Sequence, residues 1–268
     1  MCRRRPAPEE VPVQPQEVLE LIRSAPERYD TVCAALRYRG DGPTIKALRD
    51  RYLASEAYRL ETGGAPGPSE DVRHPEPDGP FGWRCRVWYA KVSPERGERY
   101  RLELELPKEV YPAGGVDISS WDGRIVGPRG TDTVVNSRIG GGPREDDPLW
   151  LGLAQDSFWS TYLFDFDGIA GFPLDSRELS VGGETRKAGR EAIRVVGVPV
   201  EEWNHFPEPL WWGADEYEFL MDAERGVLLR CASRLGGKDF DALEVEEIHF
   251  DERFPEDVFT SREPLSWR

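Results

Sequence analysis

Histidine is scarce in this 268-residue chain: His74, His205 and His249 are the only three, and they lie too far apart to offer metal-site spacing. Cysteine is nearly as rare. Cys2, Cys33, Cys85 and Cys231 form no C-x-x-C pair, which argues against a zinc ribbon or a thioredoxin-type dithiol and suits a reducing compartment. No segment approaches the roughly 18 apolar residues that span a bilayer, and Met1–Glu20 lacks the apolar run of a secretory leader, so the expectation is a cytoplasmic protein. G-x-G-x-x-G, P-loop and G-x-S-x-G motifs are all missing. Nothing sets a nucleophile beside its base, so no residue is assigned a catalytic or metal-binding role and no cofactor is expected. Basic residues are few, 35 against 50 acidic ones, and the net charge of −15 repels nucleic acid and anionic membrane surfaces. The one basic cluster, Arg3–Arg5, sits in a Pro-rich start and reads as part of a solvated tail over residues 1–14.

What the chain has in abundance is two-residue alternation of apolar and charged side chains. Tyr217, Phe219 and Met221 alternate with charge, Asp222–Gly226 supplies a turn, Val227, Leu229 and Cys231 continue, and Gly236–Gly237 supplies a second turn. In the next run, Leu243, Val245, Ile248 and Phe250, the parity changes between Val245 and Ile248, which predicts a bulge. Upstream, Trp83, Cys85, Val87 and Tyr89 oppose Arg84 and Arg86, and Tyr100, Leu102, Leu104 and Leu106 oppose Arg101, Glu103 and Glu105. Such runs predict antiparallel strands with one dry and one wet face. Cys85 and Cys231 fall on the dry parity and read as small core residues.

Helical spacing is confined to two places. From Gln16 to Leu36, Val18, Leu19, Ile22, Tyr29, Val32, Cys33 and Leu36 predict two helices divided at Pro26, and Pro43 to Leu60 predicts another with Ile45, Leu48, Tyr52 and Ala57 on one side. Glu61–Pro80 is rich in Gly and Pro and reads as a loop. Val116–Trp121, Asp122–Gly123 and Arg124–Val126 read as a hairpin, with a further strand over Thr131–Ile139. Pro148–Phe164 is almost uninterruptedly apolar, with Asp156 its only charge, and predicts a helix buried on most sides. Gly168–Gly183 reads as irregular, Arg190–Val198 as a strand and Pro199–Ala214 as a loop. The order predicts an α+β fold with a mainly antiparallel sheet, N-terminal helices and the mid-chain apolar helix against the concave side of the sheet.

Glu216–Arg230, E-Y-E-F-L-M-D-A-E-R-G-V-L-L-R, followed by G-G-K-D-F and E-V-E-E-I-H-F-D-E-R-F-P-E-D-V-F ending at Phe259, resembles the end of the LolA/LolB-like superfamily. That group includes lipoprotein carriers, the periplasmic sigma-factor regulator RseB and many actinobacterial proteins. The order of elements upstream, including Ala188–Val195, resembles it too. The resemblance implies a strongly curved antiparallel sheet forming an open half-barrel plugged by helices around an apolar cavity, a single domain over 15–262 with a short tail over 263–268, and binding of acyl chains or of protein partners in place of catalysis. The missing leader departs from the carriers.

Two further motifs bear on function. Phe164–Gly171, F-D-F-D-G-I-A-G, resembles the phosphatase motif of haloacid-dehalogenase-like enzymes, with Asp165 and Asp167 in the nucleophile and acid positions. Those enzymes need a parallel strand ahead of the motif and further Mg²⁺ ligands downstream, whereas antiparallel patterns follow here and Ile169 departs from the pattern. A Mg-dependent phosphatase is therefore the remote alternative. Glu244, Glu246, Glu247 and Asp251 form an acidic strip that suits either a basic partner or plain solvation. The leading expectation is a binding protein holding an apolar, lipid-like ligand or a partner's apolar segment against Trp83, Tyr89, Tyr100, Leu102, Trp150, Phe158, Trp159, Tyr162, Tyr217 and Phe219. The alternative is a regulatory protein-interaction module whose core is filled by its own side chains.

Overall fold

A computed structural model describes residues 14–54, 78–93, 97–105, 116–121, 134–139, 177–199, 213–255, 257–261 and 264–265. Two helices and ten strands lie in these residues: α1 (Pro15–Ser24), β1 (Thr31–Asp41), α2 (Gly42–Leu53), β2 (Pro80–Ser93), β3 (Gly97–Glu105), β4 (Val116–Trp121), β5 (Val134–Ile139), β6 (Arg177–Lys187), β7 (Arg190–Pro199), β8 (Glu216–Asp222), β9 (Leu228–Leu235) and β10 (Lys238–Phe250). All described pairings are antiparallel. The strands form one sheet in the order β5-β4-β3-β2-β1-β10-β9-β8-β7-β6, and its end strands are not paired with each other among the described residues. The fold is α+β with an open half-barrel sheet, antiparallel as the alternation predicts and unclosed among the described residues as the family resemblance implies.

The register shows why. Across β1, β2 and β3, Val32 faces Tyr89, which faces Tyr100; Ala34, Val87 and Leu102 make the next row, and Leu36, Cys85 and Leu104 the one after. Alternate positions then share one face, here called inner, and α1 and α2 cover it with Val18, Ile22, Ile45 and Leu48. Tyr38 stacks on Trp83 at 5.1 Å between ring centroids, and Tyr29 meets Tyr89 edge-on at 6.1 Å. The expected bulge is present. Ala35 pairs with Glu247 and Leu36 with Val245, so Glu246 is the extra residue and both Val245 and Ile248 point to the core.

Two expectations are corrected. The second N-terminal helix, expected after Pro26, is the 3₁₀ turn Ala25–Arg28 followed by strand β1. Tyr29, Val32, Cys33 and Leu36 satisfy helical spacing, yet β1 is an interior strand buried on both faces, and such a strand mimics that spacing by carrying apolar residues at odd and even positions alike. The irregular stretch ending at Gly183 is strand from Arg177 onward, its alternation hidden by a register shift between Val181 and Gly183. The Pro148–Phe164 helix, the Arg124–Val126 arm, residues 55–60 of the second expected helix and most of the Pro199–Ala214 loop lie outside the described residues.

The turn between β8 and β9 seats α1. Asp222 Oδ1 accepts the main-chain N–H groups of Glu224 and Arg225 at 2.9 and 2.6 Å, and Gly226, at φ +76°, closes the turn. A Cβ on Gly226 would stand 2.3 Å from the Leu21 carbonyl oxygen. Gly226→Ala is expected to destabilise the protein by about 3 kcal/mol or more in urea denaturation, combining left-handed strain with a backbone clash. Gly237→Ala, at φ +74° in open space, serves as the control and costs only about 1 kcal/mol.

Candidate functional site

Of the ten expected ligand-contacting residues, five are gathered in a single apolar core: Trp83, Tyr89, Leu102, Tyr217 and Phe219, all buried among the chain's own side chains. Tyr100 takes its place in β3 opposite Tyr89 and Trp121. Trp150, Phe158, Trp159 and Tyr162 lie outside the described residues, as do Asp165, Asp167, His74 and His205. The parallel strand that the phosphatase motif requires is not found among the described strands. Cys33, Cys85 and Cys231 are free and buried. Desolvation pushes all three thiols up, Cys33 and Cys231 to about 12, so they stay protonated near neutral pH.

The outer face is not the simple wet surface that alternation predicts. Arg101 and Glu103, on the polar parity of β3, are 0% and 2% exposed. They pair at 2.7 Å, and the segment after β10 lies over them. Arg101 donates to the carbonyl oxygens of Val258 at 3.2 Å and Ser261 at 2.5 Å, and Glu103 Oε1 accepts the Leu265 N–H at 2.9 Å. Val258 and Phe259 pack there on Cys33, Trp88 and Ala90, flanked by Phe254 and Leu265. One sequence signal pointed to this cover: Trp88 stands on the same parity as Arg84 and Arg86, where a solvated face has no use for an indole.

Further along the outer face, acids and arginines interlock. Glu218 accepts from Arg194 at 2.6 Å, from Arg234 at 3.2 Å and from Arg230, while Arg230 and Arg234 both reach Asp239. Glu244 is buried between Arg39 at 2.5 Å and Lys187 at 2.7 Å. Glu246 meets Arg84 at 3.2 Å, Asp251 meets Arg225 at 3.0 Å, and His249, near the end of β10, lies 2.8 Å from Glu247. Glu244, Glu246 and Asp251 of the acidic strip are thus paired with cations of the chain itself, and Glu247 lies beside His249.

This pairing has a pH signature. Burial alone would raise the Glu244 pKa, but the hydrogen bond and charge of Lys187, with Arg39 and Arg230, outweigh it and hold the carboxyl below its usual 4.5. A carboxylate whose pKa is lower folded than unfolded stabilises the protein above the unfolded value and loses that contribution as pH falls through the folded one. Stability of the native protein is therefore expected to decline as pH drops below about 4.5, and the decline to be shallower in Glu244→Gln, followed by thermal denaturation across pH.

No family model matches the chain, and no curated protein matches it. Solved structures do. The chain is similar to MucB, at 16% identity and a TM-score of 0.49 over 92% of this chain and 62% of that one. It is also similar to the Pseudomonas aeruginosa MucA/MucB complex, at 15% identity and a TM-score of 0.45 over 91% and 60%. A LolA superfamily protein from Nitrosomonas europaea shows 8% identity and a TM-score of 0.27 over 93% and 98%. The chain spans about three fifths of the length of the MucB structures.

Proposed function

We propose that this is a non-catalytic binding protein whose open half-barrel takes an apolar, acyl-like ligand, or the apolar segment of a protein partner, along the inner face of the sheet. The observation that supports it is an apolar inner face running through the strands from β3 to β7 of a sheet whose end strands are not paired with each other among the described residues. Protonated, buried thiols and internally neutralised carboxylates fit binding better than catalysis. Trp150, Phe158, Trp159 and Tyr162 complete the proposed lining with Trp83, Tyr89, Tyr100, Leu102, Tyr217 and Phe219. The buried free cysteines are in keeping with a cytoplasmic setting.

A second function, a regulatory interaction module with a filled core, is favoured by a specific observation: Trp83, Tyr89, Leu102, Tyr217 and Phe219 are already packed by neighbouring side chains. Titration with an environment-sensitive acyl probe separates the two, read by probe and Trp fluorescence together and paired with native mass spectrometry of freshly purified protein. The ligand-binding function predicts saturable binding or release of a lipid-sized mass, with Trp159→Ala weakening the probe's affinity about tenfold through lost apolar contact. A flat titration with no released mass leaves the filled-core module.

A further inference from the structure

The inner face does not account for the second apolar cluster, on the opposite side of the sheet. Register builds it: Cys33, Trp88 and Arg101 stand side by side across β1, β2 and β3, with Thr31, Ala90 and Arg99 in the adjoining row. Phe254, Val258, Phe259 and Leu265, from the segment after β10, cover this patch. Phe259 lies under the Arg99 guanidinium at 4.5 Å and meets Phe254 edge-on at 6.0 Å. Val258 and Phe259 sit in a short turn held by the Val258 N–H to the Pro255 oxygen at 3.1 Å and the Ser261 N–H to the Asp257 oxygen at 2.8 Å.

The geometry points to a peptide-docking surface on the outer face of β1–β3 that the chain's own 254–265 segment occupies, and from which another turn-forming segment with an adjacent aliphatic–aromatic pair displaces it. Three features carry this. First, four hydrogen bonds from Arg101, Glu103 and Arg86 go to main-chain groups of the segment, the Val258, Ser261 and Leu265 carbonyl oxygens and the Leu265 N–H, and these four do not depend on which side chains the segment carries. Second, closure strips water from an Arg–Glu pair, an expense that offsets part of what Val258 and Phe259 contribute and that opening returns. Third, the cluster is separate from the inner core, so lifting the segment leaves the packing of α1, α2 and the inner face in place. The occupant defines the partner: apolar Val258 and Phe259 as side-chain anchors, with Leu265 at the far end.

Cys33 reports on the state of this surface, because it lies beneath Val258 and Phe259 while Cys85 and Cys231 lie in the inner core. Alkylation of the native full chain, mapped by peptide mass spectrometry, is expected to modify Cys33 at least tenfold faster than Cys85 or Cys231. Phe259→Ala should accelerate Cys33 a further tenfold and leave the other two unchanged; Val258→Ala is the milder substitute if that variant does not fold. A synthetic peptide carrying residues 252–265, added to the variant, should restore protection of Cys33 saturably, and the same peptide with its Phe replaced by Ala should not. Two results overturn the proposal: alkylation of all three thiols at one rate, which means the segment opens only on global unfolding, or failure of the peptide to protect Cys33. The outcome is independent of the acyl-probe titration, since that reads the opposite face.

Discussion

The alternation of side chains across a sheet obliges a single chain to cover two faces, and the register of β1 between β2 and β10 is where that obligation is met. Slipping β1 by one residue would send Val32, Ala34 and Leu36 outward and Arg37 and Arg39 into the aromatic core. Two features guard against the slip. The Glu246 bulge keeps Val245 and Ile248 on the same side of β10, and Tyr38, stacked on Trp83, anchors the far end of the β1–β2 pair. Helices α1 and α2 attach only because these rows present one unbroken apolar surface.

The outer face is solved by different physics. Its side chains are charged, and the structure buries several of them by pairing. Glu218, Glu244 and Asp222 are all enclosed by guanidinium or ammonium groups contributed by other strands. A chain with a net charge of −15 thereby keeps the middle of its sheet close to local neutrality, and its excess acid falls elsewhere. Such pairs contribute less to net stability than equal apolar burial, but removing one partner strands the other, so they hold the strands to one arrangement. Arg101 and Glu103 carry the same logic to a second use, because they hydrogen-bond to main-chain groups of Val258, Ser261 and Leu265.

The two faces are therefore built differently. Inside, the sheet presents apolar area packed by α1 and α2. Outside, Arg101 and Glu103 hydrogen-bond to main-chain groups over a small apolar patch. Elsewhere on the outer face, acids and arginines pair with each other across strands.

Tyr217–Phe250 could be read from the sequence almost residue by residue, because strands with one dry face write their register into a period of two, and the bulge after Val245 was visible as a change of parity. The antiparallel sheet, the core positions of Cys85 and Cys231, and the convergence of Trp83, Tyr89, Leu102, Tyr217 and Phe219 all followed from that period, the α+β class from the order of elements, and the open half-barrel from the family resemblance. β1 escaped because burial on both faces erases the alternation, and the start of β6 because two adjacent glycines carry no side-chain pattern. Only the tertiary structure decided that Arg101 and Glu103 are buried, that the acidic strip is paired, and that residues 254–265 return to the sheet. Each depends on which strands become neighbours and on what a distant segment covers. Local spacing does not encode that, since a charge on a strand reads the same whether water or another part of the chain comes to lie over it.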